Sequence, residues 1–287
     1  MNRQTRTLAI MGTIILMLGI AALALQPAKT DGKASVSMLN VGQGDAFLIQ
    51  APNGAQLLID GGKDSKVLSE LAKVMPVGDQ TIDVVIATHP DADHIGGLPL
   101  VFDRYDVGLY LTSQVTTDTQ VFKDLYTILS EKSIPSYYVR RGMNLVLSPT
   151  TSFKILFPDR DTSGWETNTA SVVGRLQMGE RSALFTGDSP ISIETYLAKL
   201  DPKSINVDIL KLGHHGSKTS SAEAFLRAVS PRLGLISAGV NNRYGHPASE
   251  VTARLKSLSI QTLSTQDKGT VTLLTDGVKW VRKIEKE

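Results

Sequence analysis

The 287-residue chain contains no cysteine. Disulfide scaffolds, cysteine zinc fingers, iron–sulfur clusters, thiol nucleophiles and lipid-modified N-terminal cysteines are thereby excluded. A surplus of charge is also missing: 30 Lys and Arg face 28 Asp and Glu, and without Arg3 and Arg6 near the N-terminus the two signs balance. Any grip on nucleic acid must use a local basic patch rather than a generally cationic surface. No Pro/Ser/Gly-rich linker, low-complexity tract or fixed-period repeat divides the chain. The G-x-S-x-G elbow, the H-E-x-x-H zinc helix and the Walker loop are absent too, which closes three common routes to hydrolysis.

One long apolar run is present. Leu8 to Leu25 carry no charge, Arg3 and Arg6 precede them, and Ala22-Leu23-Ala24 has the small-x-small form of a cleavage site. Residues 1–30 are expected to be a signal peptide or an N-terminal membrane anchor. The remainder is then extracytoplasmic, either secreted or tethered to the cytoplasmic membrane. No second run of that length exists, so membrane contact is expected only through this segment.

Residues 34–287 read as a single domain. Apolar runs predict strands at 34–40, 45–50, 55–60, 82–88, 106–112, 134–139, 145–147, 152–157, 171–178, 182–186, 205–212, 232–237, 270–275 and 278–283. Amphipathic stretches predict helices at 64–75, 98–104, 118–131, 190–200, 221–229 and 247–258. Ser220 or Ser221 is expected to cap the fifth helix, and Pro247 to stand in the first turn of the sixth. Strands lead and then alternate with helices, as in an α/β (α+β) domain whose sheets are covered by helices.

The chemistry gathers at strand ends. In IDVVIATHPDADHIGG, the strand pattern Ile82–Ala87 delivers His89, Asp91, Asp93 and His94 within six positions, followed by Gly96-Gly97. Alternate spacing in an extended loop would aim His89, Asp91 and Asp93 to one side. Imidazoles and carboxylates together suit a divalent transition metal. A calcium loop would need an oxygen ligand at Ile95 and a Glu at Phe102, and it fails on both. Pro90 and the glycines oppose a helical zinc pair. All five histidines share this setting beside Gly or Pro, the others lying in KLGHHGSKTS (His214, His215) and YGHPAS (His246). A third strand end, SALFTGDSP, delivers Asp188, a candidate bridge between two ions.

THPDADHIGG resembles the H-x-[HD]-x-D-H signature of the metallo-β-lactamase superfamily. Together with FTGD and LKLGHHGS, and with SVSMLNVGQGDAFLIQ, LLIDGG, NTASVVGRLQ and YGHP, it is similar to the hydrolase domains of the ComEC competence family. The resemblance covers residues 34–276. It implies an αββα sandwich with two mixed sheets face to face, helices outside and two divalent metal ions at one edge. One ion would take His89, Asp91 and bridging Asp188; the other would take Asp93, His94, Asp188 and one of His214 and His215. Spacing leaves that pair open, and His214 is the assignment adopted. Asp91 stands where many members have His, and Asn168 lies where another His is usual. The site is thus richer in oxygen, and manganese competes with zinc.

The resemblance further implies a metal-dependent hydrolase acting through a hydroxide shared by the ions. A phosphodiester substrate, with DNA among the candidates, leads over a carboxylic ester, lactone or lactam. A metal-stabilised binding domain without catalysis is a third reading. Besides ligation through Asp93, catalytic roles fall to His215 or His246 as proton donor to a leaving alkoxide. Asn168, Ser217, Lys218, Arg243 and Tyr244 are candidates for holding substrate, with Lys218 and Arg243 neutralising phosphate. No protein partner is legible.

Overall fold

A computed structural model describes residues 32–283, so the expected leader at 1–30 and the last four residues lie outside it. The chain first lays down β1 (Ala34–Met38), β2 (Phe47–Gln50), β3 (Gln56–Ile59), β4 (Thr81–Ala87), β5 (Asp106–Thr112) and β6 (Ser136–Tyr138). A second sheet follows from β7 (Asn144–Ser148), β8 (Thr151–Phe157), β9 (Val173–Met178), β10 (Arg181–Phe185), β11 (Ile209–Lys211), β12 (Leu233–Ile236) and β13 (Gln261–Ser264). Finally β14 (Val271–Thr275) and β15 (Trp280–Arg282) return to the first sheet. The strand orders are β15-β14-β1-β2-β3-β4-β5-β6 and β13-β12-β11-β10-β9-β8-β7. Both sheets are mixed. β3 to β6 run parallel, as do β10 to β13, whereas the β1–β2 and β9–β10 pairs are antiparallel.

The central strands are apolar on both faces because each face meets a different layer. In β2, Phe47 and Ile49 join the core between the sheets with Phe153, Ile155 and Phe185. Leu48 between them points the other way, to a second core. That outer core is completed by α1 (Lys66–Val74), α2 (Ala92–Ile95), α3 (Leu98–Arg104) and α4 (Gln120–Glu131). A third core covers the other sheet through α5 (Ile191–Leu200), α6 (Pro202–Ile205), α7 (Glu223–Val229) and α8 (Ser249–Ser257). The short α9 (Thr265–Lys268) precedes β14. The layering is αββα, as the resemblance implied. Among the described residues no helix is long and apolar enough to cross a membrane.

Two helix starts differ from expectation. Neither Ser220 nor Ser221 caps α7: Ser221 has φ +59°, and the buried Glu194 of α5 accepts from the N–H groups of Ser221 (2.7 Å) and Ala222 (2.9 Å) instead. Pro247 precedes α8, whose N-cap is Ala248.

Candidate metal centre

Parallel strands put the expected residues together. Asp60 follows the end of β3, β4 runs into Thr88-His89, and α2 presents Asp93 in its first turn and His94 in its last. From the other sheet, β10 leads to Asp188 and β11 to Lys211, His214 and His215. The edges meet with His94 Nε2 3.3 Å from Asp188 Oδ2 and His215 Nε2 3.4 Å from the same oxygen. His215 Nε2 also lies 3.3 Å from Asp93 Oδ2.

Three histidines are oriented from behind. His94 Nδ1 donates to Asp60 Oδ2 at 2.8 Å, and His215 Nδ1 donates to the Ser237 carbonyl at 2.9 Å. Thr88 Oγ1 donates to Asp60 at 2.8 Å, which leaves it as acceptor for His89 Nδ1 at 3.0 Å. With each Nδ1 engaged as a donor, Nε2 is the atom of each ring left to take a cation, whether a metal ion or a proton. The Nε2 atoms of His89, His94 and His215 are buried without a hydrogen-bond partner. Buried polar atoms are rarely left so. Held imidazoles aimed at a shared carboxylate are the donor set of a metal site, with Asp60 in the supporting place. Within ligand-to-ligand distance fall His89, His94 and Asp188, and likewise Asp93, His94 and His215. These residues fit divalent ions.

The electrostatics agree. Burial alone would keep His94 and His215 neutral, but for His94 the Asp188 and Asp60 carboxylates outweigh it and raise the ring well above its ordinary range. For His215, Asp188 and Asp45 do the same and lift it to about 9. Burial would raise Asp188, yet His215, His94 and Lys211 hold it well below the usual carboxylate range. His89, buried and beside His94, is driven well below its ordinary value. Cations are demanded here, and protons serve in the metal-free chain.

Other expected residues stand differently. The His94 turn is helical rather than extended, and Asp91, at the helix N-cap, is 38% exposed with Oδ2 3.7 Å from His89 Nε2. It falls outside the convergent groups. His214, assigned from the sequence as the ligand of its pair, falls outside them too: its side chain is 27% exposed, with Nε2 3.7 Å from Asp188 Oδ2 and Nδ1 3.1 Å from Thr219 Oγ1. The inner place belongs to His215 because both residues adopt left-handed φ, +49° and +55°, which throws the second ring inward. His246 is half-buried, its ring 5.4 Å from that of His214 and stacked on Tyr244 at 5.7 Å. Burial and the neighbouring histidines pull its pKa down to about 4. Arg243 is exposed and folds over Tyr244, with its Nη2 2.7 Å from the phenol oxygen. Lys218 is exposed as well. Ser217 is buried, and its Oγ accepts from the Thr219 N–H at 3.3 Å and the Thr219 hydroxyl at 3.0 Å, which leaves its own O–H as a donor. Asn168 Oδ1 is buried without a partner, as the ligand nitrogens are.

Sequence reasoning missed Asp45, Asp60 and Lys211. Asp45 follows Gly44, which has φ +133° and lies so close to the Asp93 carbonyl that a Cβ there would stand 2.1 Å from it. Only glycine permits that approach. The signal was available in LLIDGG, where a buried-strand pattern also runs into an acid, and in GQGD, where a glycine-flanked acid comes just before one.

A model of the metallo-beta-lactamase superfamily matches residues 39–240. The chain is 29% identical over 256 residues to ComE operon protein 3 of Bacillus subtilis (strain 168), covering 83% of this chain and 33% of that protein. It is 27% identical over 248 residues to Competence protein ComA of Neisseria gonorrhoeae, covering 84% and 32%. The chain thus spans about a third of the length of these curated relatives. Among solved structures, the metallo-beta-lactamase fold protein YhfI from Bacillus subtilis superposes with a TM-score of 0.56 at 15% identity, over 85% of this chain and 100% of that one.

Proposed function

This chain belongs to the metallo-beta-lactamase superfamily, in general metal-dependent hydrolases, and we propose that it is an exported phosphodiesterase with two divalent ions. The observation that carries the reading is the set of three buried, unpartnered Nε2 atoms of His89, His94 and His215, the last two within 3.4 Å of Asp188 and the first in one ligand-spaced group with it. His89, His94, Asp93, Asp188 and His215 are the proposed ligands, with Asp91 and Asn168 beside the more open ion. Charge supports the number: among the described residues, Asp45, Asp60, Asp91, Asp93 and Asp188 gather around the single buried cation Lys211, and two divalent cations restore neutrality. When bound, such a pair supplies Lewis acidity and an activated water at neutral pH. Manganese and zinc both suit the mixed imidazole and carboxylate donors.

The remaining residues act on the substrate. His214 and His246 stand on the open side of the ligand set; burial lowers both rings below the ordinary imidazole value, so they meet the substrate as neutral hydrogen-bonding groups. Arg243 and Lys218, both exposed, neutralise phosphate as it arrives. The competence proteins among the relatives support DNA as the phosphodiester. Export rests on the basic tail and apolar run ahead of the domain.

The test is made on purified chain stripped of metal. Manganese or zinc is expected to restore cleavage of DNA and of bis-p-nitrophenyl phosphate, and Asp93→Ala combined with His94→Ala to abolish it. Activity surviving in that double variant overturns the mechanism. Turnover of lactones or lactams without phosphodiester cleavage shifts the substrate class, and tight metal binding with no turnover leaves a binding domain.

A further inference from the structure

β11 alternates like any strand, so Ile209 faces the core between the sheets and Leu210 faces the helices. Lys211 shares the face of Ile209, and its side chain is only 2% exposed. A lysine so placed needs compensation for every charge and proton it buries. It has three donors and finds three acceptors: the Asp45 carboxylate, the Gly187 carbonyl at 2.7 Å and Asp188 Oδ1 at 3.4 Å. Asp45 is equally buried, and its other oxygen lies 3.2 Å from His215 Nδ1. Asp45, Asp188 and His215 lie close enough together to hold a metal ion, and the ammonium stands against both of the carboxylates.

The two oxygens of Asp188 therefore see different cations. Oδ1 is turned to Lys211, whereas Oδ2 faces His94, His215 and His214 at 3.3, 3.4 and 3.7 Å. We propose that Lys211 is a built-in cation of the metal centre, a positioning residue that engages one oxygen of Asp188 so that only the other serves the two ions. Asp45 balances the ammonium, so that its charge does not repel those ions, and sets a negative charge behind the His215 ring. This deepens the reading above and rests on the metals proposed there.

The experiment counts manganese on the full chain, following the free aqueous ion by electron paramagnetic resonance, alongside metal-free melting. Lys211→Met is expected to weaken the second manganese at least tenfold, because the freed Oδ1 lets Asp188 chelate one ion with both oxygens. It also takes the ammonium away from two buried carboxylates and lowers metal-free melting. Asp45→Asn combined with Lys211→Met removes both charges together. That double variant is expected to recover much of the lost melting temperature while the second manganese stays weak, an outcome that mere packing would not give. The double variant also carries the test should the single one fail to fold. Two ions bound as tightly as in the parent, in either variant, overturn the proposal while the functional reading stands. A parent that binds no manganese or zinc overturns both.

Discussion

His214 and His215 have the same chemistry and opposite surroundings. His215 is buried, donates from Nδ1 to Ser237 and aims Nε2 at Asp93 and Asp188; His214 is partly exposed and leans on Thr219. Replacing each by alanine should therefore separate binding from turnover. His215→Ala is expected to weaken manganese by more than the roughly 10- to 100-fold that loss of an outer supporting partner costs. His214→Ala should leave affinity within a small factor and lower the maximal rate by about tenfold, the loss expected of a neutral hydrogen-bonding group on the substrate side. Titration of the ion and steady-state rates at saturating metal measure the two effects, and the reverse pattern restores His214 as the ligand. The sequence placed both residues at the site because the pair follows an apolar strand and is framed by glycine. It did not rank them, since the ranking depends on two consecutive left-handed residues and on a carbonyl 22 positions away.

The turn that carries these histidines is held by an interaction between elements. Glu194 of α5 takes the place of an N-cap for α7, accepting two N–H groups just after the turn, and Arg254 of α8 donates to the Ser221 carbonyl. Burial outweighs those two donors and pushes the Glu194 carboxyl up to about 7, from an ordinary 4.5. A folded-state value above the unfolded one means that the group supports folding fully below about pH 4.5 and withdraws that support as pH rises through 7, by on the order of 3 kcal/mol. Glu194→Gln cannot ionise, so the melting-temperature gap between parent and variant should narrow between pH 5 and pH 8. Thermal denaturation followed by circular dichroism at the two pH values checks it, and a gap that widens with pH would show the hydrogen bonds to dominate burial. Most elements were legible from apolar period alone: the expected helix at 98–104 is α3, and those at 118–131 and 190–200 differ from α4 and α5 by one or two residues at their starts. The starts of α7 and α8 are two residues off as well, but their caps were not legible. A serine before an apolar run signals a cap only when its backbone is extended, and here a glutamate far away in sequence supplies the acceptor. The short α2 was missed because Pro90 and Gly96-Gly97 read as loop, although a single turn suffices to carry Asp93 and His94.

At the scale of the whole molecule, metal ligation and folding are supported by different parts. The core between the sheets is built from Phe47, Ile49, Phe153, Ile155 and Phe185 with their neighbours, and it contains no ligand. Two further cores lie beneath the helices and are equally apolar. The proposed ligands instead gather at one edge, where strand ends from both sheets face each other, so ions there would tie the halves of the sandwich together. The metal-free protein should keep its fold for this reason, with His94 and His215 carrying protons in place of ions. It should also be measurably less stable, because an ion that binds only the folded chain adds about 2.7 kcal/mol when present at 100 times its dissociation constant. In a domain of this size that is roughly 5 to 10 °C of melting temperature for each ion. Chelation followed by melting under far-ultraviolet circular dichroism is expected to give an unchanged spectrum at 25 °C and a transition lowered by such an amount, restored on adding manganese or zinc. Melting that ignores both chelator and metal would mean that the facing carboxylates and histidines do not hold ions between the sheets. Loss of the spectrum on chelation would instead make the metal a condition of folding, and the three apolar cores would then be insufficient alone.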